Sequence, residues 1–350
     1  MSYASLRENK MKAARLYGYK DIRIDEVETP KPNENEILFK VMACGVCPSD
    51  VRGYNRNQQL EHPRIPGHES VGEVVEIGDA VEDLQVGDRI ARDWRDTCGV
   101  CYYCRKGLYN FCLEAETPKR GGFRGGFCEY SKVKDPVYRK ISKNLSYEEA
   151  AFAEPLACCI NGIHQSNIEV GDDVAIIGCG PIGLQLLQLS KIKGARIIAV
   201  DLIESRLDMA KKLGAHDTIN AREQDTIQAV LDLTENRGVN SSIVAVGGAI
   251  PIKNGMDILD LDGTLNIFAG TWPKAEIPLD PNPPHYRHLK LTGSHDFTPH
   301  DFTTALKLIE KGIIDVKSLI SHRLPLEETK KGFDVVSNQE GFKVVIFPNK

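Results

Sequence analysis

Val174-Ala175-Ile176-Ile177-Gly178-Cys179-Gly180-Pro181-Ile182-Gly183 decides the fold of the central part of this chain. The four apolar residues read as a strand buried on both faces, and the glycines lead into a helix running on from Pro181. A second apolar run, Ile197-Ile198-Ala199-Val200, ends at Asp201, 18 residues beyond Gly183. Alone, G-x-G-x-x-G is a weak pattern. Between a strand and a helix, with an acidic residue closing the next strand, it is the fingerprint of a dinucleotide-binding turn. Gly178 permits the tight turn, Gly180 lets a pyrophosphate approach the backbone, and Gly183 allows close helix–strand packing. Pro181 and Ile182 start the helix whose N-terminus receives the negative charge. Asp201 is expected to accept from the adenosine ribose hydroxyls and to repel a 2′-phosphate, which favours NAD over NADP. Arg206, one turn into the next helix, flanks the adenine or solvent.

Downstream, the alternation continues. A helix over Glu204–Leu213 is stopped by Gly214, which suits a left-handed cap. Strands are expected near 242–246, 265–268 and 289–292. Apolar strands alternating with amphipathic helices imply a doubly wound parallel sheet with helices on both faces. Upstream, the texture differs. Short alternating runs at 36–41 and 70–77, punctuated by Gly78-Asp79 and Gly87-Asp88, imply a β-rich, barrel-like domain. Ser146-Tyr147-Glu148-Glu149 has the form of a capping box ahead of an Ala-rich helix. The tail, from about 298, holds two helices and a last strand at 342–347.

The 350 residues carry 44 Lys and Arg against 49 Asp and Glu, a net charge of −5, which disfavours nucleic-acid or anionic-membrane binding. The longest apolar stretch, 174–189, is broken by glycines, Pro181, Gln185 and Gln188, so it is no membrane span. The first residues lack the apolar core of a signal peptide, so a cytoplasmic location is expected, with residues 1–10 as a short extension. Ten cysteines in such a chain point to metal or redox chemistry rather than a disulfide framework.

Cys98, Cys101, Cys104 and Cys112 give C-x2-C-x2-C-x7-C on a loop. Four thiolates at this spacing suit a closed tetrahedral zinc. Clostridial-type iron–sulfur loops begin the same way, but their fourth cysteine follows after three residues and precedes proline; here it follows after seven and precedes Leu113. A second constellation joins Cys47-Pro48-Ser49-Asp50 to Gly67-His68-Glu69, with Glu154 as a further carboxylate. Thiolate, imidazole and carboxylate are zinc ligands, and a catalytic zinc keeps one position open. Asp50 is cast as the partner that orients His68. Singly, each residue is as readily a packed core group; the combination is what points to catalysis.

Together these residues resemble the zinc-dependent medium-chain dehydrogenase/reductase superfamily, from Met11 to Pro348. Gly67-His68-Glu69-x-x-Gly72-x-Val74-x-x-x-Gly78-x-x-Val81 is among its most specific signatures. The resemblance implies an α/β protein with a GroES-like β-barrel catalytic domain (1–157), a Rossmann domain binding NAD (158–294) and a return to the catalytic domain (295–350). It implies two zincs per chain. Cys47, His68 and either Glu69 or Glu154 would hold the catalytic one, and Cys98, Cys101, Cys104 and Cys112 the structural one. Glu154-Pro155-Leu156 resembles the polyol and threonine dehydrogenase branch, and 315–326 resembles the sorbitol dehydrogenase C-terminal stretch. The chain departs at Asp296-Phe297, where animal sorbitol dehydrogenases carry an Arg-Tyr pair, and at Arg52, where many relatives place a relay histidine. The expected activity is NAD-linked oxidation of a secondary hydroxyl on a polyol or polyol phosphate, with Ser49 passing the proton outward. L-Threonine 3-dehydrogenase is the same-class rival, and a zinc- and nucleotide-binding protein without turnover the rival from another class. The expected partner is a small polyol-type molecule, with no nucleic acid or membrane, in a homodimer or homotetramer.

Overall fold

The computed structural model describes residues 10–93, 95–115 and 125–350; of the expected extension at 1–10, all but Lys10 lies outside them. The chain divides into two compact units. One runs to Glu154 and resumes at Phe302, and the other is Pro155–Asp301.

In the first unit the strands are β1 (Lys10–Gly18), β2 (Asp21–Glu28), β3 (Glu36–Gly45), β4 (Gln59–Arg64), β5 (Glu69–Ile77), β6 (Arg89–Arg92), β7 (Tyr130–Lys134) and β8 (Tyr138–Lys140). The second unit supplies β9 (Asp173–Ile177), β10 (Arg196–Asp201), β11 (Asp217–Asn220), β12 (Val239–Val244), β13 (Leu259–Ile267) and β14 (Lys290–Gly293). After the chain returns to the first unit, β15 (Ile320–Pro325) and β16 (Lys343–Phe347) complete it.

The second unit is a six-stranded sheet in the order β11-β10-β9-β12-β13-β14, and its strand pairs are parallel. Every residue of β9 is buried, as a strand covered on both faces requires. The strand order reverses direction at β9, and the glycine turn leaves that strand at the switch point where open α/β sheets bind ligands. Gly214 caps the helix Glu204–Leu213 with φ of +107°, a conformation glycine adopts without cost from a side chain.

The first unit packs two sheets. β2-β1-β4 forms one, and the other runs β15-β16-β3-β5-β6-β8, with β7 also paired to β3. Its core gathers Phe39, Val41, Tyr54, Phe127, Phe333 and Ile346, so residues from both ends of the chain share one apolar interior. Tyr54 and Phe127 each set an edge against Phe333, at centroid distances of 5.3 and 5.6 Å. The Tyr54 hydroxyl also donates to Asp334 at 3.0 Å. These contacts dock the helix Thr329–Ser337 and bring β16 antiparallel onto β3, with Val345 opposite Gly45. On the other side of β3, Gly45 stands opposite Glu69 of β5. Ser146 caps the short helix Tyr147–Ala150: its hydroxyl accepts from the Glu149 N–H and donates to the Glu149 carboxylate. Among the described residues no helix is long and apolar enough to cross a membrane.

Candidate active site and dinucleotide loop

Cys47 sits at the N-cap of the helix Pro48–Tyr54, where Pro48 has no N–H to leave unsatisfied. The buried Asp50 carboxylate reaches back to the cap. Its Oδ2 accepts from the Cys47 N–H at 3.3 Å, and its Oδ1 accepts from the Gly67 N–H at 3.2 Å. Gly67 has φ of +97°, and a Cβ there would meet the Cys44 Sγ and the Phe127 ring at 3.0 Å. Only glycine fits that turn, which delivers His68 and Glu69 at the head of β5.

In this arrangement the ligand atoms of Cys47, His68 and Glu69 all lie within 4.8 Å of one another. His68 is held between two carboxylates: Nδ1 is 3.5 Å from Asp50 Oδ1, and Nε2 is 3.9 Å from Glu154 Oε1. Glu154 is buried in the first turn of the helix Ala153–Gln165. Glu69 is 1% exposed, and Lys343 of β16, itself 5% exposed, donates to its Oε1 at 2.5 Å and pairs with Oε2 as well. Ser49 stands exposed on the first turn after Cys47, and Arg52 is exposed on the same helix.

The electrostatics follow from burial. Burial works against a charged imidazole, yet Asp50, Cys47 and Glu154 together hold the His68 pKa well above 6.5. Burial alone would raise the Asp50 pKa, but His68 and the two backbone donors bring it below 3.8. Burial likewise opposes the Lys343 ammonium, and Glu69 and Cys47 more than offset it, so its pKa is raised. A thiol and three carboxylates crowd one imidazole and one ammonium here. Such an excess of buried anionic groups is costly without a compensating cation. Sulfur, nitrogen and oxygen donors suit zinc, and Asp50 behind Nδ1 leaves Nε2 as the nitrogen for an ion. The residues fit the metal that the sequence implies.

The four-cysteine loop is self-contained. The ligand atoms of Cys98, Cys101, Cys104 and Cys112 lie within 4.8 Å of one another. Backbone donors aim at the sulfurs: the Cys98 N–H points to the Cys112 Sγ and the Cys101 N–H to the Cys98 Sγ, both at 3.2 Å. Backbone N–H groups of Cys104 and Leu113 lower the Cys101 pKa to about 6, while burial raises that of Cys104 to about 12. N–H groups directed at several sulfurs favour thiolates and suit a closed zinc site.

In the second unit Gly178 has φ of +96°, and a Cβ on Gly183 would overlap the Gly178 carbonyl oxygen. Gly180 caps the helix Pro181–Ile192, and a Cβ there meets nothing within 4 Å. That open side is the room a pyrophosphate needs beside the backbone. Asp201 is more engaged than its sequence position suggests. Its Oδ2 accepts from the Cys179 N–H at 2.6 Å, and its Oδ1 accepts from Leu202 at 2.7 Å and Ile203 at 2.9 Å. Arg206 lies 3.9 Å from Oδ2. Cys179 packs without exposure, and burial pushes its thiol pKa far up, so it is no nucleophile.

Other candidates are placed less suggestively. Asp296 is buried in a left-handed turn, φ +62°, and its Oδ1 accepts from the Phe297 N–H at 3.0 Å. Arg287 donates to the Leu259 carbonyl, and Tyr286 beside it is 76% exposed. Two residues escaped sequence reasoning: Lys343, and Gly45 against which its ion pair lies. The available signal was a lysine set in the apolar run Phe342-Lys343-Val344-Val345-Ile346-Phe347.

Comparison with known proteins agrees with this fold. Residues 33–143 match the alcohol dehydrogenase GroES-like domain, and residues 181–311 match the zinc-binding dehydrogenase family. The sorbitol dehydrogenase of Bacillus subtilis (strain 168) is 33% identical over 347 residues, spanning 97% of this chain and 98% of its own. The D-arabitol-phosphate dehydrogenase of Enterococcus avium is 32% identical over 344 residues, 95% of each chain. A zinc-binding dehydrogenase from Sinorhizobium meliloti 1021, solved with NADP bound, superposes with a TM-score of 0.90 at 32% identity, covering 97% of this chain and all of its own. The similarity to these dehydrogenases thus runs over nearly the whole chain. The chain belongs to the zinc-dependent medium-chain dehydrogenase/reductase superfamily, in the branch of the polyol and threonine dehydrogenases.

Proposed function

We propose that this enzyme carries out reversible, NAD-linked oxidation of a secondary hydroxyl on a polyol or polyol phosphate, giving the ketose. The observation that carries the reading is the Cys47, His68 and Glu69 cluster, with Asp50 behind the imidazole. Zinc, when bound, supplies a Lewis acid that lowers the pKa of the substrate hydroxyl. Cys47 and His68 hold it together with one of Glu69 and Glu154. Asp50 fixes the tautomer and orientation of His68. Exposed Ser49 takes the hydroxyl proton and passes it outward. Gly178, Gly180 and Gly183, with Pro181 and Ile182 starting the helix, receive the pyrophosphate, and Arg206 flanks the adenine. Asp201 favours NAD. Cys98, Cys101, Cys104 and Cys112 hold the second zinc, which serves stability. Polyol-type substrates are supported by Glu154-Pro155-Leu156 and by the names of the two relatives above. The proposal includes a cytoplasmic homodimer or homotetramer, a state that light scattering on the purified protein measures.

The test is NAD reduction over a panel of polyols, polyol phosphates and L-threonine. A polyol or its phosphate giving the highest kcat/KM supports the reading. L-Threonine as the best substrate replaces it with L-threonine 3-dehydrogenase. Tight NADH binding with no turnover in metal-replete protein replaces it with a binding protein.

A further inference from the structure

We infer that the outer face of the helix Pro48–Tyr54, with Arg64 of β4 laid against it, forms a phosphate subsite, so that the substrate is a polyol phosphate and the free polyol a poor one. The inference rests on the proposed oxidation of a polyol-type hydroxyl and narrows its substrate class. Asp50, Val51 and Tyr54 turn into the core, which leaves Ser49, Arg52 and Gly53, three and four positions apart, on the other side of the helix. Gly53 carries no side chain, and Arg64 uses the room. A Cβ there would meet the Arg64 Nη2 at 2.7 Å and its Cζ at 3.9 Å. The Arg64 guanidinium thus lies beside the residue that follows Arg52, one helical turn, or about 6 Å, along the helix from Ser49.

The charge on this face has one sign. Arg52, Arg56 and Arg64 are all exposed. Among the described residues, neither Arg56 nor Arg64 has a hydrogen-bond or ion-pair partner for its side chain. The one carboxylate of the helix, Asp50, is buried, accepts from the Gly67 N–H and faces His68. Guanidinium groups gathered without an anion repel one another, and a bound anion relieves that repulsion. A phosphate monoester suits the face better than a carboxylate does. Its charge approaches two, and its three outer oxygens can accept from two guanidinium forks at once. Ser49 is proposed to take the proton of the reacting hydroxyl, so a phosphate held one turn away is joined to that hydroxyl by a few carbons. An open-chain polyol phosphate provides that span.

The test compares NAD reduction by a polyol with that by its phosphate ester, in metal-replete enzyme at saturating NAD, and adds inorganic phosphate as an inhibitor. The ester should have the higher kcat/KM by at least about tenfold, the scale of one charge-assisted hydrogen bond, and inorganic phosphate should compete with it. Arg64→Gln should lower the ester-to-polyol ratio at least about tenfold, chiefly through the KM of the ester, and should weaken inhibition by phosphate. Arg52→Gln should act in the same direction. Arg64→Lys, which keeps the charge without the fork, should recover part of the ratio. Gly53→Ala keeps every charge but pushes Arg64 aside, and should lower the ratio too. If the native enzyme prefers the free polyol, or prefers a polyol carboxylate to the ester, the inference is overturned while polyol oxidation stands. It is equally overturned if Arg64→Gln leaves the ratio unchanged. The same holds if Arg52→Gln and Arg64→Gln raise the KM of NAD and not that of the ester, which would assign the guanidiniums to the cofactor's pyrophosphate. No NAD reduction with any polyol, free or phosphorylated, overturns the proposed function itself, which is a different result from these.

Discussion

The two cysteine constellations of the first unit are built on opposite plans. The four-thiol loop draws its ligands from Cys98 to Cys112, one short segment whose own backbone N–H groups point at the sulfurs. The other cluster takes Cys47 from a helix cap, His68 and Glu69 from a strand head, Glu154 from another helix and Lys343 from the end of the chain. A local, homogeneous set can close around an ion and contribute folding energy. An assembled, mixed set is costly to bring together and leaves carboxylates to be held by neighbours. That cost is acceptable where an open coordination position does chemistry.

The sharpest way to break this contrast is to cut each site in turn. Cys47→Ser should lower kcat/KM about a thousandfold or more, since a catalytic metal supplies several kcal/mol of transition-state stabilisation. NADH binding, followed by fluorescence, should hardly move. If NADH binding is lost in parallel, Cys47 serves structure and the division of labour fails.

Next in size is the docking of the tail. Phe333 is fully buried against Tyr54 and Phe127, and Phe333→Ala should cost about 3–5 kcal/mol by leaving a cavity. Because that helix brings β16 and Lys343 to β3, cobalt binding at the assembled site should weaken under mild denaturant before the four-cysteine zinc is released. Simultaneous release of both metals would show that the two sites share one cooperative unit. Cys104→Ser should come third, lowering the melting temperature by about 5 °C or more. The metal content should fall from two per chain to one, with kcat/KM on the best substrate nearly preserved below the transition. A collapse of kcat/KM in folded Cys104→Ser protein would erase the distinction between the sites.

The same contrast explains what could be read ahead of the structure. The glycine turn, the Gly214 cap and the Ser146 capping box depend on residues a few positions apart, and all three stand where their spacing put them. The four cysteines were legible for the same reason. Lys343 was not, because its meaning depends on β16 lying beside β3, a pairing between residues about 300 positions apart. Asp201 falls between these cases. Its place at the end of β10 was legible, but its three backbone bonds were not.

That double engagement gives the smallest and most discriminating prediction. Asp201 clasps the glycine turn through the Cys179 N–H and braces the start of the next helix through Leu202 and Ile203. Asp201→Ala removes all three acceptors and the charge together, so weaker NAD binding in that variant would not separate clasp from specificity. Asp201→Asn is the better probe. Its single amide oxygen can serve either Cys179 or the Leu202 and Ile203 pair, so part of the clasp is lost and both cofactors should bind more weakly. The charge is lost as well, and only NADP carries a phosphate that the carboxylate would repel. The ratio of kcat/KM with NADP to that with NAD should therefore rise about tenfold, the scale of one charge-assisted hydrogen bond. If both cofactors weaken by the same factor, the carboxylate acts only as a local clasp. If the native enzyme already prefers NADP, the specificity given to Asp201 is wrong, and the remaining function of the residue is to hold the turn in which Gly180 faces open space.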